Sequence, residues 1–165
     1  MSSSEFVVMF VCTGNTCRSP MAEGILRSLA ERDAVPGIRA VSSGTGTLDG
    51  YPATWGAVQA ARKDGIDISD HHSRILSAGL IREADLIVTM AFEHYQILVD
   101  KFPELNGIIH MLKSYPDRRA SAALSVKDPI GADFDTYQKT YQEIKSELER
   151  IWPDIKTRAN EKVQR

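Results

Sequence analysis

Residues 6–11 form an apolar run, Phe6 to Val11 without a polar interruption, and lack the in–out alternation of a half-exposed strand. Such a run predicts a β-strand covered on both faces. It stops at the polar stretch CTGNTCRSP, residues 12–20. Behind it, Met21, Ile25, Leu26 and Leu29 recur at helical spacing over residues 21–31, with Ser19 and Pro20 placed as a cap and first-turn pair. The resulting unit is strand, polar loop, helix.

The same signals continue downstream. A short strand is expected over residues 38–41, followed by a Gly, Ser and Thr loop over residues 42–50. The alanine-rich residues 53–65 read as a helix stopped by Gly65, and residues 73–79 as a short helix or turn. Residues 86–89 are β-branched and apolar enough for a strand, residues 94–99 look helical, and residues 108–112 are a fourth strand candidate. From Phe134 onward, Tyr137, Tyr141, Ile144, Leu148 and Ile151 make one apolar stripe of a long helix. Pro153 is expected to kink or interrupt it, with a fraying tail over residues 156–165. On this reading Tyr137 and Tyr141 are packing residues, and Trp152 docks the terminal helix.

Four strands separated by helices predict a three-layer α/β/α fold with a parallel sheet, in one domain spanning residues 1–165. Loops at the carboxyl ends of such strands share one rim, so residues near 12 and 128 can meet despite their separation. Twenty basic against 22 acidic side chains give a net charge of -2, which offers no footprint for a nucleic-acid or membrane partner. The start MSSSEF has no basic targeting region, and the first apolar run is too short to span a bilayer. With two cysteines, both inside one loop, a disulfide framework is not expected, and a cytoplasmic location is.

The loop itself carries the chemistry. Cys12 closes a buried strand and Arg18 opens a helix, so the backbone between them can curl around an anion with its amides pointing inward. Gly14 permits the curvature, and Arg18 can hold two phosphate oxygens with its planar fork. These groups favour thiolate and are expected to lower the Cys12 pKa. The bland reading of Cys12 as a small buried hydrophobe does not account for the rest of the loop. GxxxxGK[ST] is absent, and two cysteines without further partners make a poor zinc site, so no metal or other cofactor is expected.

CTGNTCRSP resembles the C-x5-R-[ST] signature of the low-molecular-weight protein phosphatases. The resemblance runs on through MAEG, VSSGT, DGIDISDHHSR, ADLIVTM and Asp128-Pro129, and so covers most of the chain. It implies a sheet of order 2-1-3-4, with Cys12 as nucleophile, Arg18 as phosphate clamp, Ser19 as hydroxyl donor to the thiolate and Asp128 as general acid. Thr13, Gly14, Asn15, Thr16 and Cys17 complete the phosphate loop. Asn15 is implied to hold the loop with help from Ser43, and His71 and Arg74 to support it from beneath, with His72 adjacent to His71. Asp133 and Asp135 are competitors of Asp128 that can instead serve the start of the last helix.

The implied reaction is hydrolysis through a phosphocysteine intermediate, with phosphorylated proteins as partners and inorganic phosphate as product and inhibitor. Within the family, TGNTCRSPMAE looks closer to bacterial protein-arginine phosphatases. Thr16 is compact and polar, and Asp128-Pro129-Ile130-Gly131 lacks the paired tyrosines often found beside the acid of tyrosine-directed members. Thr16, Leu48 and Ile130 are therefore the expected selectivity residues, with phosphotyrosine as the alternative substrate. An arsenate reductase would need further resolving cysteines, and a phosphoprotein-binding module would not need Cys12, Ser19 and Asp128 together. Oxidation is expected to join Cys12 to Cys17.

Overall fold

In a computed structural model, which describes residues 5–165, four strands form one parallel sheet. Residues 1–4, part of the start read as carrying no targeting signal, lie outside the described residues. The strands are β1 (Phe6–Cys12), β2 (Ile38–Gly44), β3 (Leu86–Thr89) and β4 (Ile109–Met111), in spatial order β2-β1-β3-β4. The helices are α1 (Arg18–Arg32), α2 (Trp55–Lys63), α3 (Ala78–Glu83), α4 (Phe92–Lys101) and α5 (Phe134–Val163).

The uninterrupted apolar run of β1 is explained by cover on both sides. Phe6, Val8, Phe10 and Cys12 face a core built with α1, α2 and α5, whereas Val7, Met9 and Val11 face a second core with Ile81 of α3 and Leu98 of α4. That is the expected three-layer α/β/α architecture, with β1 in its interior.

Several element boundaries differ from the sequence reading. Strand β2 runs to Gly44, not to Val41, because Ser42, Ser43 and Gly44 pair with Phe10, Val11 and Cys12. Residues 73–77 are not helical: Ile75 bridges to Gly44, and Ser77 caps α3 through its side chain. Pro153 neither stops α5 nor frees its tail. Burial of Ile155 and Ala159 continues the apolar stripe past the proline, and Lys162 pairs with Asp85 at 2.8 Å. Trp152 is buried and donates to Asp33 Oδ2 at 2.7 Å, tying α5 to the end of α1.

At the α2–α5 contact, glycine is required for space. A Cβ on Gly56 would come within 2.5 Å of the Tyr137 ring. Gly56→Ala is therefore expected to cost about 1–3 kcal/mol through overpacking, which outweighs the helix propensity gained. Urea denaturation checks this; an unchanged midpoint would show that Tyr137 moves aside freely.

Candidate active site

The rim at the carboxyl end of the sheet collects the loop after β1, Gly44 at the end of β2, and the segment after β3. Val126 N–H donates to the Met90 carbonyl at 2.7 Å, and this brings the Asp128 loop to the end of β3. Arg18 then holds the same loop from below. Its Nη1 donates to the Val126 carbonyl at 2.9 Å, and its Nη2 lies 3.5 Å from Asp128 Oδ2. Asp128 Oδ1 accepts from Ile130 N–H at 3.1 Å, a local turn that limits the orientation of the carboxylate.

Cys12, Thr13, Gly14, Thr16, Cys17, Arg18, Asp128 and Ile130 line a cavity of about 130 Å³. The competing acids are engaged elsewhere. Asp133 caps α5 by accepting from Thr136 N–H at 2.9 Å, and Asp135 pairs with Lys139 at 2.9 Å. Leu48 is 64% exposed and does not line the cavity, whereas Ile130 forms its outer edge.

The loop curls because Asn15 takes φ = 54°, the left-handed region that asparagine enters more readily than most side chains. Four polar contacts hold it there. Asn15 Nδ2 donates to Ser19 Oγ at 2.8 Å and to Ser42 Oγ at 2.9 Å, Arg74 N–H donates to Asn15 Oδ1 at 2.9 Å, and His71 Nε2 donates to the Asn15 carbonyl at 2.7 Å. Ser42 in turn donates to Glu23 Oε2 at 2.6 Å. Gly44 leaves room for the curl, since a Cβ there would meet the Thr13 carbonyl at 2.5 Å.

One assignment changes as a result. Ser42 and not Ser43 assists Asn15, because β2 pairs in parallel with β1 and Ser42 shares the face of Phe10 and Cys12. Ser43, one residue on, points to the other face and contacts Met9 Sδ at 3.5 Å. Arg74 supports the loop as expected, through its backbone N–H, and it also lines a separate polar cavity with Glu23, Arg27, Ser42, His71 and His72. Ser19 is not the cap of α1; that position is Cys17, without a side-chain cap.

Ser19 is instead committed to Cys12. Because Ser19 Oγ accepts from Asn15, its own hydrogen is available to Cys12 Sγ at 2.9 Å, and Asn15 N–H lies 3.3 Å from the same sulfur. Burial nevertheless pushes the Cys12 thiol up, against the opposing pull of Ser19, the Arg18 charge and the Asn15 N–H. The lowering expected from sequence counted the donors and the cation but not the desolvation of a charge at the end of a fully covered strand. The Cys17 thiol faces away toward the Thr54 hydroxyl at 3.3 Å and the Tyr137 hydroxyl at 3.6 Å.

Sequence reasoning missed Glu23, Ser42 and His94. Strand alternation from Cys12 across to β2 was a signal for Ser42, and Glu23 sits inside the MAEG motif. His94 is fully buried in the first turn of α4, with Nε2 2.8 Å from Thr13 Oγ1.

Residues 7–164 match the family model described as low molecular weight phosphotyrosine protein phosphatase. The chain is 34% identical over 149 residues to the protein-arginine-phosphatase of Bacillus subtilis, covering 90% of this chain and 96% of that protein. It is 32% identical over 134 residues to the low molecular weight protein-tyrosine-phosphatase Wzb of Salmonella typhimurium, covering 81% and 83%. Among solved structures, a low molecular weight protein tyrosine phosphatase from T. tengcongensis superposes with a TM-score of 0.83 at 36% identity, covering 91% of this chain and 99% of that one. The YwlE arginine phosphatase with a phosphorylated active-site serine also gives 0.83, at 33% identity, covering 92% and 96%. The chain belongs to the low-molecular-weight protein phosphatase family. It is a phosphatase of the cysteine-nucleophile class, and its relatives include both arginine- and tyrosine-directed enzymes.

His94 also gives the site a pH signature. Burial, reinforced by the nearby Arg18 charge, lowers its pKa from the ordinary 6.5 to about 4. An unfolded chain takes up this proton near pH 6.5 and the folded chain only near pH 4, so the contribution is complete above pH 6.5 and is lost as pH falls toward 4. His94→Asn should accordingly remove up to roughly 3 kcal/mol of the stability lost across that window. Urea unfolding of both proteins across the range measures it; parallel curves would reject a buried neutral imidazole.

Proposed function

We propose that this enzyme hydrolyses phosphoarginine in proteins, with Cys12 as nucleophile, Arg18 as phosphate clamp and Asp128 as general acid and base. The observation that carries the substrate assignment is the cavity wall: compact, polar Thr16 stands beside the nucleophile, and Ile130 forms the lip next to the acid. A planar phosphoguanidino group needs room and a polar neighbour near the leaving nitrogen more than an aromatic slot. Resemblance to the arginine-directed relative over nine-tenths of the chain supports the same reading.

In the first step the Cys12 thiolate forms an S–P bond while the P–N bond breaks. Asp128 gives its proton to the departing guanidino nitrogen. Arg18 and the loop amides bear the charge that accumulates on the equatorial oxygens. Water then attacks the phosphocysteine as ionised Asp128 takes its proton; the S–P bond breaks and inorganic phosphate leaves. Asn15, Ser19, Ser42, His71 and the Arg74 backbone hold the loop in the conformation both steps use. Phosphotyrosine is the second reading, favoured by the tyrosine-directed relatives; in that case Asp128 would protonate a phenolate oxygen.

The deciding measurement is a competition between matched phosphoarginine and phosphotyrosine proteins, read as kcat/KM. Wild type is expected to prefer phosphoarginine, and Thr16→Ile to move the ratio toward phosphotyrosine by about tenfold, equivalent to about 1.4 kcal/mol. Cys12→Ala controls for spontaneous loss of the labile P–N bond and should release no phosphate enzymatically. A wild-type preference for phosphotyrosine overturns the assignment. An arginine preference untouched by Thr16→Ile keeps the function and removes Thr16 as its filter.

We further propose that mild oxidation joins Cys12 to Cys17, which requires the Cys17 thiol to leave Thr54 and Tyr137. After peroxide, intact mass should fall by about two hydrogens, consistent with a disulfide, and a reductant should restore activity. Accumulation of a stable sulfinic acid on Cys12 with no disulfide would exclude the link.

A further inference from the structure

His94 is the third residue of α4, and its ring is enclosed in protein instead of facing water. Ala91 N–H, just before the helix, points at Nδ1 at 3.1 Å. A ring nitrogen that accepts a backbone N–H carries no proton, so in the neutral imidazole the proton sits on Nε2. Nε2 is 2.8 Å from Thr13 Oγ1. The imidazole is therefore the donor of this contact and the threonine oxygen the acceptor. The hydrogen of the Thr13 hydroxyl is not used by His94.

Thr13 follows Cys12 directly and lines the same cavity. We infer that His94 is a positioning residue for catalysis: it fixes Thr13 Oγ1 as an acceptor, so that Thr13 gives its own hydrogen to an oxygen of the phosphoryl group under attack. The inference rests on reading this cavity as the phosphate site. It adds a neutral side-chain donor to Arg18 and the loop amides, and no bond to Thr13 or His94 is made or broken. The donor matters most when charge builds on the phosphoryl oxygens, so its removal should lower kcat more than it raises KM.

The surroundings keep the polarity of the relay fixed. Burial and the Arg18 charge both disfavour a protonated ring. Glu93 Oε1 also approaches Nε2, but at 3.5 Å and from an exposed side chain, so it is the weaker claimant for the Nε2 hydrogen. A serine at position 13 preserves the relay, whereas valine copies the shape of threonine and removes it. Asparagine at position 94 can still present an oxygen near the Nδ1 position to accept Ala91 N–H, yet it is too short to reach Thr13.

The test compares wild type, Thr13→Val, Thr13→Ser, His94→Asn and the Thr13→Val/His94→Asn double variant. The substrate is para-nitrophenyl phosphate, whose good leaving group makes turnover insensitive to proton donation by Asp128 and independent of the arginine-versus-tyrosine question. Thr13→Val and His94→Asn are each expected to lower kcat by about tenfold, the size of one hydrogen bond to a charged acceptor, with KM changing far less. Thr13→Ser should retain most of the rate, and the double variant should be no slower than Thr13→Val. Wild-type turnover in Thr13→Val, or a double variant whose losses multiply, overturns the relay. If His94→Asn does not fold, as judged by its urea midpoint, the contrast between Thr13→Val and Thr13→Ser decides alone: equal rates overturn the proposal. Cys12→Ala separates the two levels of inference. Continued turnover in that variant would bring down the phosphate-site reading, whereas its inactivity beside a fully active Thr13→Val removes the role of Thr13 and His94 only.

Discussion

The site depends on one backbone conformation, the positive φ of Asn15. A single left-handed residue turns the chain so that Cys12 and Arg18 face one cavity, and such a residue stays there only when its surroundings determine it. Here they do so from three directions. Ser42 reaches Asn15 from β2, Ser19 from α1, and His71 with the Arg74 backbone from the segment beside Gly44. The two N–H bonds of the Asn15 amide are shared between two serines, and this division sets where each serine hydrogen goes: Ser42 to Glu23, Ser19 to Cys12. One side-chain amide therefore links the shape of the loop to the environment of the sulfur.

That environment is a balance and not a simple activation. Placing Cys12 at the end of a fully buried strand gives its sulfur a rigid origin, and the same burial opposes its ionisation. The donors gathered around Sγ offset a cost that the fold itself creates. A more exposed cysteine would ionise with less help, but its sulfur would be less firmly aimed at the cavity.

How much of this could be read from the chain follows from the range of each interaction. The strand β1, the loop and α1 were legible because their signals are local: an uninterrupted apolar run, a turn-forming polar segment and helical periodicity. The sheet order followed from resemblance, not from periodicity, since pairing between β1 and β3 leaves no local mark. Ser42 and Ser43 cannot be told apart locally, because two adjacent serines differ only in the face they occupy, and that face is set by register with Phe10 on another strand. The continuation of α5 beyond Pro153 has the same origin. A proline removes one helical hydrogen bond locally, but burial of Ile155 and Ala159 and the Lys162–Asp85 pair are long-range gains that no window around the proline contains. His94 was invisible for a related reason: its partner Thr13 lies 81 positions away.

The acid loop shows how few anchors are needed to bring distant segments into register. Asp128 is more than a hundred residues from Cys12, and its half-exposed side chain has little packing of its own. Its backbone is fixed two residues earlier, where Val126 is fully buried, donates to the Met90 carbonyl and accepts from Arg18. Arg18 is itself buried, so the fork that lines the cavity is also the tether of the Asp128 loop. A lysine at that position could supply charge but not two directed arms, one for Val126 and one turned toward the cavity and Asp128. The guanidinium thus couples the two halves of the proposed chemistry: the group that would bind the phosphoryl oxygens is held in the same frame as the carboxylate that would serve the leaving group. Their spacing is set by this shared plane together with the Val126–Met90 bond and the Ile130 turn.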